Sequence, residues 1–84
     1  MVNILYFASL REQLDCSGEA FALPPAINTV AALRDYLQQR GECWALAFDP
    51  RQPLISAVNQ EIAPAHTPIS DGDEVAFFPP VTGG

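Results

Sequence analysis

The sequence closes on "FFPPVTGG", Phe77 to Gly84, and the group there with the most useful chemistry is a main-chain one, the carboxylate of Gly84. A terminal carboxylate titrates at about 3.3–3.7, so at neutral pH it is ionised and a poor acyl donor. Activation by another enzyme as an acyl-adenylate changes that, because a sulfur or nitrogen nucleophile can then displace AMP. Such handling requires an end that leaves the globule, threads a narrow channel and carries no side chain beside the reacting carbon. Pro79 and Pro80 meet the first requirement, each fixing φ near about −65° and holding the exit extended. Val81 and Thr82 lead to Gly83 and Gly84, whose bare backbone lets enclosing walls close from either side. Ordering each residue costs on the order of 1–2 kcal/mol, which a partner's contacts must offset.

The side chains elsewhere offer little conventional catalysis. His66 is the only histidine and lies in a loop between Ala65 and Thr67, where an exposed residue is the ordinary reading. No Ser-His-Asp set and no His/Cys cluster with four ligands can be assembled. "SDGDE" lacks the ligand spacing and closing Glu of a calcium loop and reads as a solvated turn. Cys16 and Cys43 are far apart and form no Cys-x-x-Cys motif. There is no glycine-rich nucleotide fingerprint. The chain is therefore expected to bind no cofactor or metal of its own.

The elements that must carry such a tail fit within 84 residues, room for one domain. A chain this size buries roughly 60–65% of its unfolded surface, enough for a modest core. Hydrophobic residues are 49% and charged ones 17%, a globular composition. Ten acidic groups against four arginines, with no lysine, leave a net charge of −6. That surface repels phosphate backbones and anionic membranes, and favours a partner protein with a basic rim. "MVNILYFA" lacks a basic leader and is too short to span a bilayer, so a cytoplasmic location is expected.

Residues 2–8 read as a strand with Val2, Ile4, Tyr6 and Ala8 inward and Leu5 and Phe7 outward. "SLREQLDC" reads as a short helical turn capped by Ser9 and ended by Gly18. "EAFAL" reads as a second strand. "NTVAALRDYLQQRG" is the clearest helix, capped by Asn28 or Thr29. In it Val30, Leu33 and Leu37, with Tyr36, form the apolar face, Arg34, Asp35 and Gln38 face water, and Gly41 is the left-handed stop. "ECWALAF" adds a short helix with Trp44, Ala47 and Phe48 at core spacing, and "DPRQP" a loop. "LISAV" and "EIA" flank Asn59-Gln60 as a hairpin, "PISDGD" turns at Gly72, and "EVAFF" is the last strand. Strands outnumber helices, and one main helix plus a short one must cover one face of a mixed sheet of about five strands. This is an α+β chain of β-grasp, ubiquitin-like plan, with a body of residues 1–79 and a tail of 80–84.

In the last strand Glu74 marks the wet face, so Ala76 and Phe78 share it while Val75 and Phe77 point inward. Phe78 is thus predicted as an exposed aromatic at the root of the tail. Pairing of the first and last strands puts Phe7 on the same face, and the two suggest a docking patch.

"MVNILYFASLRE", "VAALRDYL", "WALAF", "AVNQ" and above all "DGDEVAFFPPVTGG" resemble the small, sulfur-carrier subunit of molybdopterin synthase, over nearly the whole chain. The resemblance implies that an E1-like enzyme uses Mg-ATP to adenylate Gly84, and that a sulfur donor system converts it to a thiocarboxylate. The charged tail would then enter the large catalytic subunit, in a heterotetramer of two large and two small chains, and give its sulfur to a pyranopterin precursor. Phe7, Phe78 and Ile62 would contact the large subunit and the activating enzyme, with Pro79, Pro80, Val81, Thr82 and Gly83 lying along the channel. The direction of Ile62 is not fixed by the strand pattern. Three rival readings share the fold: a thiamine-pathway sulfur carrier, an interaction module with an inert tail, and a modifier forming isopeptide bonds. The two helical segments and the "FFPPVTGG" ending argue against the first.

Overall fold

Alternation of apolar residues at Val2, Ile4 and Tyr6 makes β1 (Val2–Tyr6), and these side chains are fully buried. The computed structural model describes residues 1–80. Seven further elements follow: α1 (Ala8–Leu14), β2 (Gly18–Phe21), α2 (Val30–Gln38), α3 (Glu42–Ala47), β3 (Ile55–Val58), β4 (Glu61–Ile62) and β5 (Glu74–Phe78). The strands form one sheet in the order β2-β1-β5-β3-β4. β1 runs parallel to β5, and the other neighbours are antiparallel, so the sheet is mixed. All three helices lie on one face, where Leu10, Leu14, Val30, Leu33, Leu37, Ala47 and Phe48 meet the inward residues of the sheet. The β-grasp plan expected from the sequence is the observed one.

The first strand ends two residues early. Phe7 is the extended residue preceding α1, and Ala8 takes a left-handed φ of 55° and is exposed, so it does not point inward. No side chain caps this helix, and Ser9 has no such role. Asp15, left-handed at φ 52°, ends α1 with its amide donating to the Glu12 carbonyl. Gly18, expected as the helix stop, instead opens β2 opposite Leu5. A Cβ there would lie 2.9 Å from the Ile4 carbonyl oxygen and 3.0 Å from Leu5 Cδ2, so close strand approach, and not helix termination, requires the glycine.

Thr29 caps α2, its Oγ1 accepting from the Ala32 amide at 3.1 Å. The Val30 and Ala31 amides donate to the carbonyls of Thr67 and Ala65, so the loop around His66 completes the helix cap. Gly41 is extended and precedes α3, and is not a left-handed stop. Tyr36 is 40% exposed, its ring packed on Phe21, whereas Arg34 is half-buried and does not face water. Asn59 and Gln60 both take positive φ (52° and 70°), the pairing of a two-residue hairpin turn. Gly72, at φ 93°, turns the chain into β5, and its amide donates to the Met1 carbonyl.

Candidate functional site

The helix-free face of the sheet is apolar at its centre. Cross-strand partners share a face, and Leu5 pairs with Ala76, Ala76 with Ala57, Ile55 with Phe78 and Ala57 with Ile62. The register therefore settles the direction of Ile62: it stands on the same face as Phe78, and is 71% exposed. Phe7, 45% exposed, meets the Phe78 ring edge-on, with centroids 6.4 Å apart and planes at 72°. Phe78 is half-buried by that ring and by its neighbour Ile55, a correction to the exposed aromatic expected. Phe7, Phe78 and Ile62 thus share one face, and Pro79 and Pro80 continue directly from β5 beside the aromatic pair. Val81, Thr82, Gly83 and Gly84 lie outside the described residues.

Beneath this face the aromatic core ties β5 to the helices. Phe77 is buried against Phe48, edge-on at 5.3 Å, and Phe48 meets Tyr6 and Trp44 in turn. Tyr6, which precedes Phe7, donates its hydroxyl to Glu19 Oε2 at 2.8 Å, and Arg40 Nη1 donates to the same oxygen at 2.6 Å. The Arg40 guanidinium also sits 4.8 Å from the centre of the Trp44 ring and 5.5 Å from that of Tyr36. Sequence patterns give no sign of this network, because its members are 13 and 21 residues apart.

The Arg40 hydrogen bond, reinforced by that of Tyr6, holds the Glu19 carboxyl below its ordinary range, and burial pushes the Tyr6 phenol far above its own. Since the folded value for Glu19 is the lower one, its stabilisation is present above the unfolded carboxyl value and is lost as pH falls from there through the folded value. Thermal melts from pH 6 down to about 3 should therefore show a loss of stability that is smaller in Glu19→Gln. Asp49, held down to about 2 chiefly by hydrogen bonds from Arg51, sits at the surface, where salt screens it. A profile identical in the variant and the parent would contradict the assignment to Glu19.

Other candidate groups fall away from this face. His66 is exposed in its capping loop. Cys16 is half-buried, with Sγ 3.5 Å from the Gly18 carbonyl oxygen, and Cys43 is exposed; both are free thiols. Among the described residues no three His, Cys, Asp or Glu side chains converge as a metal site, and no helix is long and apolar enough to cross a membrane.

A model of the ThiS family matches residues 4–84. The chain belongs to this family. Within it the chain is 43% identical, over the full length of both, to the molybdopterin synthase sulfur carrier subunit of Haemophilus influenzae. It is likewise 43% identical, end to end, to that of Escherichia coli. Among solved structures, a putative molybdopterin converting factor subunit 1 from Pyrococcus furiosus superposes with a TM-score of 0.75 at 26% identity, covering 95% of this chain and 97% of that one. The chain is thus a member of the molybdopterin synthase sulfur carrier group, as the sequence motifs implied.

Proposed function

We propose that this chain is the sulfur carrier of a cytoplasmic molybdopterin synthase, acting through the carboxyl carbon of Gly84. The observation that carries the reading is full-length similarity to named sulfur carrier subunits; the Pro79–Pro80 exit, which follows directly on Phe78, supports it. An E1-like enzyme with Mg-ATP adenylates Gly84, and a sulfur donor displaces AMP to leave a thiocarboxylate. The body docks on the large subunit through Phe7, Phe78 and Ile62, and the tail from Pro79 to Gly83 lies in that subunit's active site. The thiocarboxylate sulfur forms a C–S bond at an electrophilic carbon of the pyranopterin precursor, displacing an oxygen substituent from that carbon; water then cleaves the resulting thioester, leaving sulfur on the pterin and a carboxylate on Gly84. The acids and bases belong to the large subunit, and this chain contributes the nucleophile at its terminal carboxyl carbon. It is thus the small subunit of a sulfurtransferase and no catalyst alone.

Reconstitution with labelled sulfur tests this. With the activating enzyme, Mg-ATP, a sulfur donor and the large subunit, label should pass through this chain into a dithiolene product. Label that never enters the pterin, with the chain found instead on lysines of other proteins, would favour the modifier reading.

A further inference from the structure

The segment "DPRQP", Asp49 to Pro53, and Arg34 have no part in the reading above, yet the structure joins them. Arg34, on α2, donates from Nε to the Phe48 carbonyl at 3.4 Å, and from Nη2 to the carbonyls of Asp49 at 2.8 Å and Gln52 at 3.0 Å. These acceptors lie at and just beyond the end of α3, where a helix leaves carbonyls unpaired. The planar guanidinium suits them because its donors are fixed in one fork. The loop also closes on itself: the Gln52 amide donates to the Asp49 carbonyl, and Arg51 donates to the Asp49 carboxylate from its amide and its guanidinium.

So held, the loop forms one side of a cleft of about 240 Å³ at the root of the tail. Gln52 and Pro53 line it from the loop with Leu54 just beyond, Ser9 and Leu10 from α1, and Pro79 and Pro80 from the chain end. Phe48, whose carbonyl Arg34 engages, also packs beneath Phe77 of β5. One guanidinium therefore fixes both the residue under the last strand and the wall beside the two prolines.

The geometry points to Arg34 as a positioning residue: through the 49–53 loop it sets the direction in which the chain leaves the body at Pro79–Pro80. Its functional half rests on the carrier reading, in which that direction governs how Gly84 is presented to the enzymes acting on it. Arg34 lies on α2, in the helical layer, across the sheet from the Phe7–Phe78 pair, and one edge of its surroundings is a groove it shares with Ile62. Direction matters because a misplacement of about 1 Å can cost about 100-fold in rate.

The test uses Arg34→Ala, Arg34→Lys and, should the first fail to fold, Pro53→Gly, which loosens the loop with Arg34 in place. In nuclear Overhauser spectra, cross-peaks from the Pro79 and Pro80 ring protons to the Leu10 and Leu54 methyls should weaken or vanish in Arg34→Ala and Pro53→Gly. In the reconstituted synthase, turnover should fall about tenfold while the Kd for the large subunit stays within about twofold. Arg34→Lys should recover part of the loss, since an ammonium meets some of the carbonyls without the fork. Unchanged cross-peaks and turnover in a folded Arg34→Ala would overturn the proposal, as would turnover that falls only in step with a weakened Kd. Should the parent chain itself transfer no sulfur, the carrier reading fails, and the proline contacts alone decide the role of Arg34.

Discussion

A chain bearing one additional alanine after Gly84 should fold like the parent and transfer no sulfur. The described body is complete without the last four residues: β5 ends at Phe78, and every strand pairing lies upstream of the tail. Extension therefore leaves the melting temperature unchanged. The chemistry is lost for two reasons. The Gly84 carbonyl becomes an amide, with no carboxylate oxygen to adenylate, and the new carboxylate sits about 3.3–3.6 Å further along the chain. That displacement exceeds the ~1 Å misplacement that costs about 100-fold, and the added methyl occupies space that glycine leaves open. Normal transfer by a chain shown by mass to retain the alanine would contradict the assignment.

Adjacent phenylalanines in β5 should respond oppositely to truncation. Phe77 is 1% exposed and packs on Phe48, so Phe77→Ala leaves a cavity and should cost about 3–5 kcal/mol. For a domain of this size that lowers the melting temperature by more than about 12 °C. Phe78 contributes chiefly its edge-on contact with Phe7, and such a pair is worth about 0.5–1.5 kcal/mol. Phe78→Ala should therefore lose only about 1 kcal/mol of stability. Its Kd for the large subunit should rise by about 30-fold, the effect of losing a central aromatic worth about 2 kcal/mol. Equal thermal losses in the two variants, or unchanged affinity in Phe78→Ala, would remove Phe78 from the docking face.

What could be read from the sequence was whatever depends on alternation and on local turn chemistry. Parity along β5 separated Phe77 from Phe78, and Asn59-Gln60 and Gly72 marked turns whose positive φ values the structure shows. Glycine punctuation misled where the constraint was not local. Gly18 answers to the Ile4 carbonyl across a strand pair, and Gly41 to the entry of α3. Real helix ends at Ala8 and Asp15 use left-handed non-glycine residues, which carry no such sequence signal. The partners of Arg34 and Arg40 lie 14 to 21 residues away, so a periodic pattern could place Arg34 only on a solvent face. For the candidate site, alternation together with the expected pairing of the first and last strands put Phe7 and Phe78 on one face, whereas Ile62 required the register of β3 against both β4 and β5.

The central claim is that the carboxyl carbon of Gly84 carries the sulfur, and the mass of one peptide tests it. After incubation with the activating enzyme, Mg-ATP and a sulfur donor, cleavage following Arg51 releases the fragment Gln52–Gly84. That fragment contains no Cys, Met or Trp, so oxidation of a soft side chain cannot imitate the exchange of oxygen for sulfur. The predicted result is a mass increase equal to one oxygen replaced by sulfur, placed by fragmentation on Gly84 and dependent on ATP. A fragment that stays unmodified under conditions in which a known sulfur carrier is converted would contradict the account.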